Sequence, residues 1–128
     1  MMVEAASLKK GECVDRDGEP FRIEKIRSVV TSRHTHTKIK MELTGMFTGA
    51  KKALTLPNDE KMEQVDIIRK HGQLIAKKSM QSCQVMDLRD YEVHEVSASG
   101  DLMTELKEGD EVTYIEYKGV AKIVGTRD

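Results

Sequence analysis

Tryptophan is absent from this chain of 128 residues, and two Phe and three Tyr are its only aromatic side chains. Any core must therefore be filled by Val, Ile, Leu and Met. Cysteine is as scarce: Cys13 and Cys83 stand alone. Two thiols so far apart make neither a zinc knuckle nor a disulfide framework, and both read as small buried hydrophobes. No charged-then-apolar leader opens the chain and no apolar run reaches membrane-spanning length, so a reducing, cytoplasmic setting with no membrane partner is expected. Also missing are a phosphate-cradling glycine loop, a nucleophile with its base and a carboxylate dyad. Neither enzyme activity nor a cofactor is expected. The length suits one domain or two small ones.

Charge is plentiful, and its signs nearly cancel to a formal −1. Residues 1–56 hold eleven Lys/Arg against seven Asp/Glu, whereas residues 84–128 hold five against eleven. A basic front and an acidic back suit a protein that offers one end to an anionic partner; two ordinary solvated surfaces would look the same.

Apolar periodicity reads as short strands. Ile39, Met41 and Leu43 alternate with Lys38, Lys40 and Glu42, the mark of a strand with one buried face. Phe21 and Ile23 run in one phase and Ile26, Ser28 and Val30 in the other, which a bulge between Ile23 and Ile26 reconciles. Further strands are expected at 53–56, 73–77, 83–88, 91–96, 112–117 and 121–124. Turns fall at Asp17-Gly18, Thr48-Gly49, Pro57-Asn58, Ser99-Gly100 and Lys118-Gly119. One short helix is predicted over about 102–107, capped by Asp101. The pattern L-K-x-G-x-x-V occurs at Leu8–Val14 and again at Leu106–Val112. In each copy a glycine permits a turn and an apolar residue opens a strand, which fits two small β-barrels joined near Asp66.

The segment Thr31 to Lys40, TSRHTHTKIK, carries the most suggestive chemistry. His34 and His36 would share a face of an extended strand, but zinc normally needs a third or fourth ligand, and His71, His94 and Cys83 are remote; no metal is expected. Arg33, Lys38, Lys40, Lys51 and Lys52 gather in and after this segment, opposed by Glu42. Arginine can pair bidentately with phosphate, lysine supplies a point charge, and histidine can donate or stack. No aromatic residue interleaves them, which argues against reading of single-stranded bases. The alternative is a solvated edge strand blunted by lysines. Tyr114 and Tyr117 read as packing residues rather than stacking platforms.

In order along the chain, Leu8-Lys9-Lys10-Gly11-Glu12, Asp17-Gly18-Glu19-Pro20, the strand ending Gly45-Met46-Phe47, Val65-Asp66-Ile67-Ile68, Gln84 to Glu92 and Gly109 to Glu116 resemble the translation factor 5A family in its short archaeal form. Bacterial elongation factor P is a more distant relative. The resemblance implies an all-β chain: an SH3-like (KOW-type) barrel over residues 1–65, then an OB-fold barrel over residues 66–128. It also implies binding to the ribosome, with rRNA and tRNA as partners, near the tRNA exit and peptidyl sites. There a loop of the first barrel reaches the acceptor end of peptidyl-tRNA and helps stalled peptide bonds form. DNA is not expected as a partner, and a monomer is.

That loop usually reads T-S-K-P-G-K-H-G-x-A-K, its central lysine converted to hypusine with an aminobutyl group from spermidine. Here Thr31-Ser32 matches its start and Lys38 its final lysine, but the interval is three residues shorter and holds no glycine, proline or lysine. The modified lysine is thus read as missing. Arg33 cannot replace it, because a guanidinium stays protonated and cannot act as the nucleophile. A turn centred near Ser32-Arg33 is expected, and the RNA-contacting set is Arg33, His34, Thr35, His36, Lys38, Lys40, Lys51 and Lys52. Two alternatives remain: a paralogue that occupies the ribosome without stimulating peptide bonds, as a competitor or dormancy factor, and a non-ribosomal assembly module.

Overall fold

A computed structural model describes residues 1–30 and 37–126. They divide into two compact units, Met1–Asp66 and Ile67–Asp128. The first contains β1 (Met2–Glu4), a 3-10 turn (Ala5–Ser7), β2 (Cys13–Arg16), β3 (Glu19–Val30), β4 (Thr37–Gly45), β5 (Lys51–Pro57) and β6 (Lys61–Val65). Antiparallel pairing gives the order β1-β6-β2-β3-β4-β5. The alternation expected around Lys38 is observed: Ile39, Met41 and Leu43 are buried together with Val14, Phe21, Ile23 and Met62. Between Ile23 and Lys25 the register shifts, leaving Glu24 as the extra residue that lets Ile26 pack on the same core as Phe21 and Ile23, whereas Ser28 and Val30, farther along that phase, are exposed.

The second unit contains β7 (Arg69–Lys77), β8 (Ser82–Asp87), β9 (Val93–Ser97), α1 (Gly100–Glu105), β10 (Glu111–Tyr117) and β11 (Val120–Thr126). It closes in the order β10-β11-β9-β8-β7, β10 pairing back onto β7. Closure removes the sheet edges. The barrel is filled by Leu74, Cys83, Val85, Val96, Met103, Leu106, Val112, Tyr114 and Ile123. Burial raises the Cys83 thiol pKa, as suits an inert core thiol. Cys13 is only half-buried, contrary to expectation.

Turn chemistry sets the hairpins. Asp17-Gly18 and Lys118-Gly119 take positive φ at both central residues, 54° and 83° in the first and 50° and 79° in the second. They join Arg16 to Glu19 and Tyr117 to Val120 as two-residue loops whose twist matches the strands. The helix begins earlier than expected. Ser99, not Asp101, is its cap, its side chain accepting from the Leu102 amide at 3.3 Å. Asp101 lies inside the first turn, where a negative charge complements the exposed amides.

Both L-K-x-G-x-x-V segments fold into the same latch. Gly11 and Gly109 have φ of 92° and 93°. The Gly11 amide donates to the Ile23 carbonyl at 2.8 Å and the Ile23 amide returns to the Glu12 carbonyl at 2.9 Å. In the second unit Gly109 donates to Leu74 at 2.8 Å and Leu74 to Asp110 at 2.9 Å. A carboxylate tightens each turn: Glu12 accepts from the Lys9 amide at 2.6 Å, Asp110 from the Lys107 amide at 2.9 Å. Each latch grips its neighbour strand beside a bulge, after Ile23 in one unit and after Leu74 in the other.

Candidate nucleic-acid interface

The strands β3, β4 and β5 form a small sheet whose inner face is apolar and whose outer face is a grid of polar side chains. Pairing sets its rows. Val29, Lys38 and Pro57 lie side by side nearest the Val30 and Thr37 strand ends, followed by Arg27, Lys40 and Thr55, then by Lys25, Glu42 and Ala53. Successive outward positions follow because strand side chains alternate between faces. Lys25, Arg27 and Lys40 are exposed and Lys38 half-buried. Glu42 is the single acid among these rows and is engaged by Lys25 at 3.6 Å. Among the described residues, Arg27, Lys38 and Lys40 form no ion pair.

The structure splits the expected basic cluster. Lys38 and Lys40 lie on the grid, whereas Lys51 and Lys52 pair with Thr44 and Leu43, at the opposite end of β4. Lys40 and Thr44, the partner of Lys51, are four residues apart, a separation of about 13 Å along a strand. Lys52 is further committed to the fold: its ammonium pairs with Asp17 and lies 5.3 Å from the Phe21 ring centroid. The hydrogen bond from Lys52 holds the Asp17 carboxyl below its ordinary pKa. Proximity in sequence does not give position along a hairpin, and pairing places Lys51 and Lys52 away from Lys38 and Lys40. Nor is β4 an edge strand, since β3 and β5 flank it; β5 is the edge, and Lys51, Lys52 and Pro57 occupy it. Arg33, His34, Thr35 and His36, with the expected turn near Ser32-Arg33, lie outside the described residues.

Arg27 and Lys25 were missed by the sequence reading. Their signal was present as alternation across the bulge, but which partners they face depends on register, and that required pairing. Charge division also changes. Cut at the unit boundary, the first unit holds twelve Lys/Arg against eleven Asp/Glu and the second nine against eleven. Asp59, Glu60, Glu63 and Asp66 belong with the basic end, so positive charge is a property of one face rather than of one unit.

This geometry can be set beside known proteins. A family model described as the Elongation factor P (EF-P) KOW-like domain matches residues 4–62. Translation initiation factor 5A of Sulfurisphaera tokodaii is 38% identical over 120 residues, covering 91% of this chain and 90% of that protein. The chain belongs to the translation initiation factor 5A family. The 5A protein of Methanopyrus kandleri is 34% identical over 128 residues, covering 98% of this chain and 93% of its own. Among solved structures, eukaryotic translation initiation factor 5A from Methanococcus jannaschii superposes with a TM-score of 0.80 at 33% identity, covering 99% of this chain and 94% of the other. The 5A architecture is thus established here as an all-β fold, an SH3-like barrel followed by an OB-fold barrel.

Within this 5A fold the second unit presents a different kind of polar site. Asp87, 5% exposed, accepts from the Tyr114 hydroxyl at 2.6 Å and from the Arg89 and Asp90 amides at 2.7 and 3.2 Å. The Tyr114 hydrogen bond, chiefly, holds its carboxyl pKa below the usual value, and burial together with Asp87 raises that of the phenol. Tyr114 is therefore a core residue whose one polar atom is satisfied. Tyr117 is half-buried beneath the Lys118 ammonium, 5.5 Å from its ring centroid. Asp90, Glu92 and His94 place ligand-type atoms within 4.8 Å of one another, an arrangement that exposed carboxylates often adopt without an ion. Among the described residues no helix is long and apolar enough to cross a membrane.

Proposed function

We propose that this chain acts in the cytoplasm as a 5A-type translation factor in peptide elongation. In this reading it binds ribosomal and transfer RNA near the tRNA exit and peptidyl sites through a basic hairpin that lacks the hypusine lysine. One pairing of observations carries it: 5A similarity spans nearly the whole chain, while the segment between Ser32 and Lys38 is Arg33-His34-Thr35-His36-Thr37. Arg33 and the histidines supply electrostatic grip, with Lys38 and Lys40 behind them, but not the reach of an extended polyamine side chain. No enzymatic step and no cofactor enter this reading, and the chain works as a monomer of two domains, 1–65 and 66–128.

The missing lysine also favours a second reading, in which the chain occupies the ribosomal site without promoting peptide bonds. Three measurements separate the outcomes. Intact mass of the native protein should equal that of the unmodified chain; a gain matching hypusine on a lysine would overturn the reading of the tip. Salt-sensitive co-sedimentation with ribosomes is expected in both cases. Stimulation of polyproline synthesis then selects the elongation role, and binding without stimulation selects the competitor. Absence of ribosome binding refutes both.

A further inference from the structure

The outer face of the β3–β4–β5 sheet holds a like-charge contact that folding alone does not explain. Arg27 and Lys40 are directly opposed across the β3–β4 pair, and both are exposed. Cβ atoms of such cross-strand partners lie about 5 Å apart, and like charges so placed are destabilising. Lys38 stands two residues along β4 on the same side, about 6.6 Å away along the strand. The one acid nearby, Glu42, is engaged by Lys25. On the third strand Ala53 and Thr55 are short, and a shallow depression lined by Lys25, Arg27, Lys40, Glu42, Ala53 and Thr55 opens between the long cationic side chains.

A negative group seated in this depression would turn repulsion into attraction at both cations. Arginine offers a planar fork that matches two phosphate oxygens, and the lysines add point charges along one line. The grid rows carry no aromatic ring for stacking bases, and no large apolar anchor of the kind that dominates protein–protein contacts. Charge complementarity without anchors favours a nucleic-acid backbone over an acidic protein. We propose that Arg27, Lys40 and Lys38 form a phosphate-gripping face for RNA that works independently of the hairpin tip. The proposal rests on the ribosome- and RNA-binding reading above and adds to it a surface that does not depend on the lost lysine.

Salt titrations test it, with a 20-nucleotide uridine RNA and a 16-base-pair RNA duplex as probes. Three phosphate contacts on this face contribute about −2 to the log–log salt slope on the single strand, and R27Q/K40Q should make the slope shallower by about 1.4. Lys40→Glu places opposite charges across the strand pair, so the melting temperature should hold or rise while RNA binding falls; a merely structural role for Lys40 would lower both. An unchanged slope in R27Q/K40Q, with binding lost in R33Q/H34Q/H36Q, would assign the grip to the tip and overturn the proposal. So would tighter binding of polyglutamate than of either RNA. Ribosome co-sedimentation keeps the two readings apart. If wild type and R27Q/K40Q pellet equally at every salt concentration, the face proposal fails and the translation-factor reading stands. If wild type does not pellet, that reading fails, and the isolated-RNA slopes decide the face on their own.

Discussion

The two units use one latch and one kind of brace, set at different depths. The latch glycines share a φ within a degree and their two flanking hydrogen bonds agree within 0.1 Å. In each unit a carboxylate also holds a turn. Glu19 accepts from the Phe47 and Thr48 amides at 3.2 and 3.1 Å and from the Thr48 hydroxyl. Asp87 does the same for residues 89 and 90, with the buried Tyr114 hydroxyl as its third donor. Glu19 is half-buried and Asp87 nearly fully buried. A shared local device thus serves an edge-bearing sheet in one unit and a closed barrel in the other. The difference lies in what surrounds it: water reaches the partners of Glu19 more readily than the buried Tyr114 hydroxyl that Asp87 accepts from.

The sharpest way to break this comparison is to remove both carboxylates in turn. Asp87→Ala leaves the Tyr114 hydroxyl and two amides without their acceptor and should cost the second unit about 3 kcal/mol; Glu19→Ala should cost the first about 1 kcal/mol. Amide hydrogen exchange, read separately over β1–β6 and β7–β11, measures each loss; equal losses would show that depth does not matter. The pH dependence has a definite sign. With its folded pKa depressed, Asp87 contributes stability above its unfolded pKa, about 4, and that contribution is lost as acid protonates it in the folded state. Tyr114, with its folded pKa raised, contributes below about pH 10 and loses that contribution as pH climbs further. Tyr114→Phe should therefore flatten the second unit's stability at both extremes.

A smaller effect sharpens the equivalence of the latches. Gly11→Ala and Gly109→Ala each force an L side chain into positive φ, where space is open but the backbone is strained. Each should cost its own unit about 1–2 kcal/mol, by similar amounts. A silent substitution at one site would show that the matching geometry is not matched in energy. Smallest of all, Ser99→Ala removes the helix cap and should cost about 1 kcal/mol, confined to the second unit, by thermal melting and exchange over 100–106.

Much of this was legible beforehand because it is written locally. The alternation through Ile39, Met41 and Leu43, the phase change that required a bulge near Glu24, the glycine turns and the repeated L-K-x-G-x-x-V all depend on neighbours within a few residues. The helix start was misplaced by the same local logic, since Ser99 and Asp101 are both good caps and only the Leu102 amide chose between them. The candidate interface is half legible. Lys38 and Lys40 are visible as the polar half of an alternating strand, but the place of Lys51 and Lys52 near the other end of β4, and of Arg27 opposite Lys40, depends on pairing.

The sequence by itself determined the fold class, the family and the altered composition of the segment between Ser32 and Lys38, since these rest on periodicity, turn residues and ordered motifs. Only the tertiary structure decided which cations share a face. Strand register brings Arg27 against Lys40 from thirteen positions away and sends Lys52 to Asp17 and Phe21 at the far end of the sheet. Cross-strand pairing is a long-range choice, made by the whole core at once, and no window of neighbouring residues contains it.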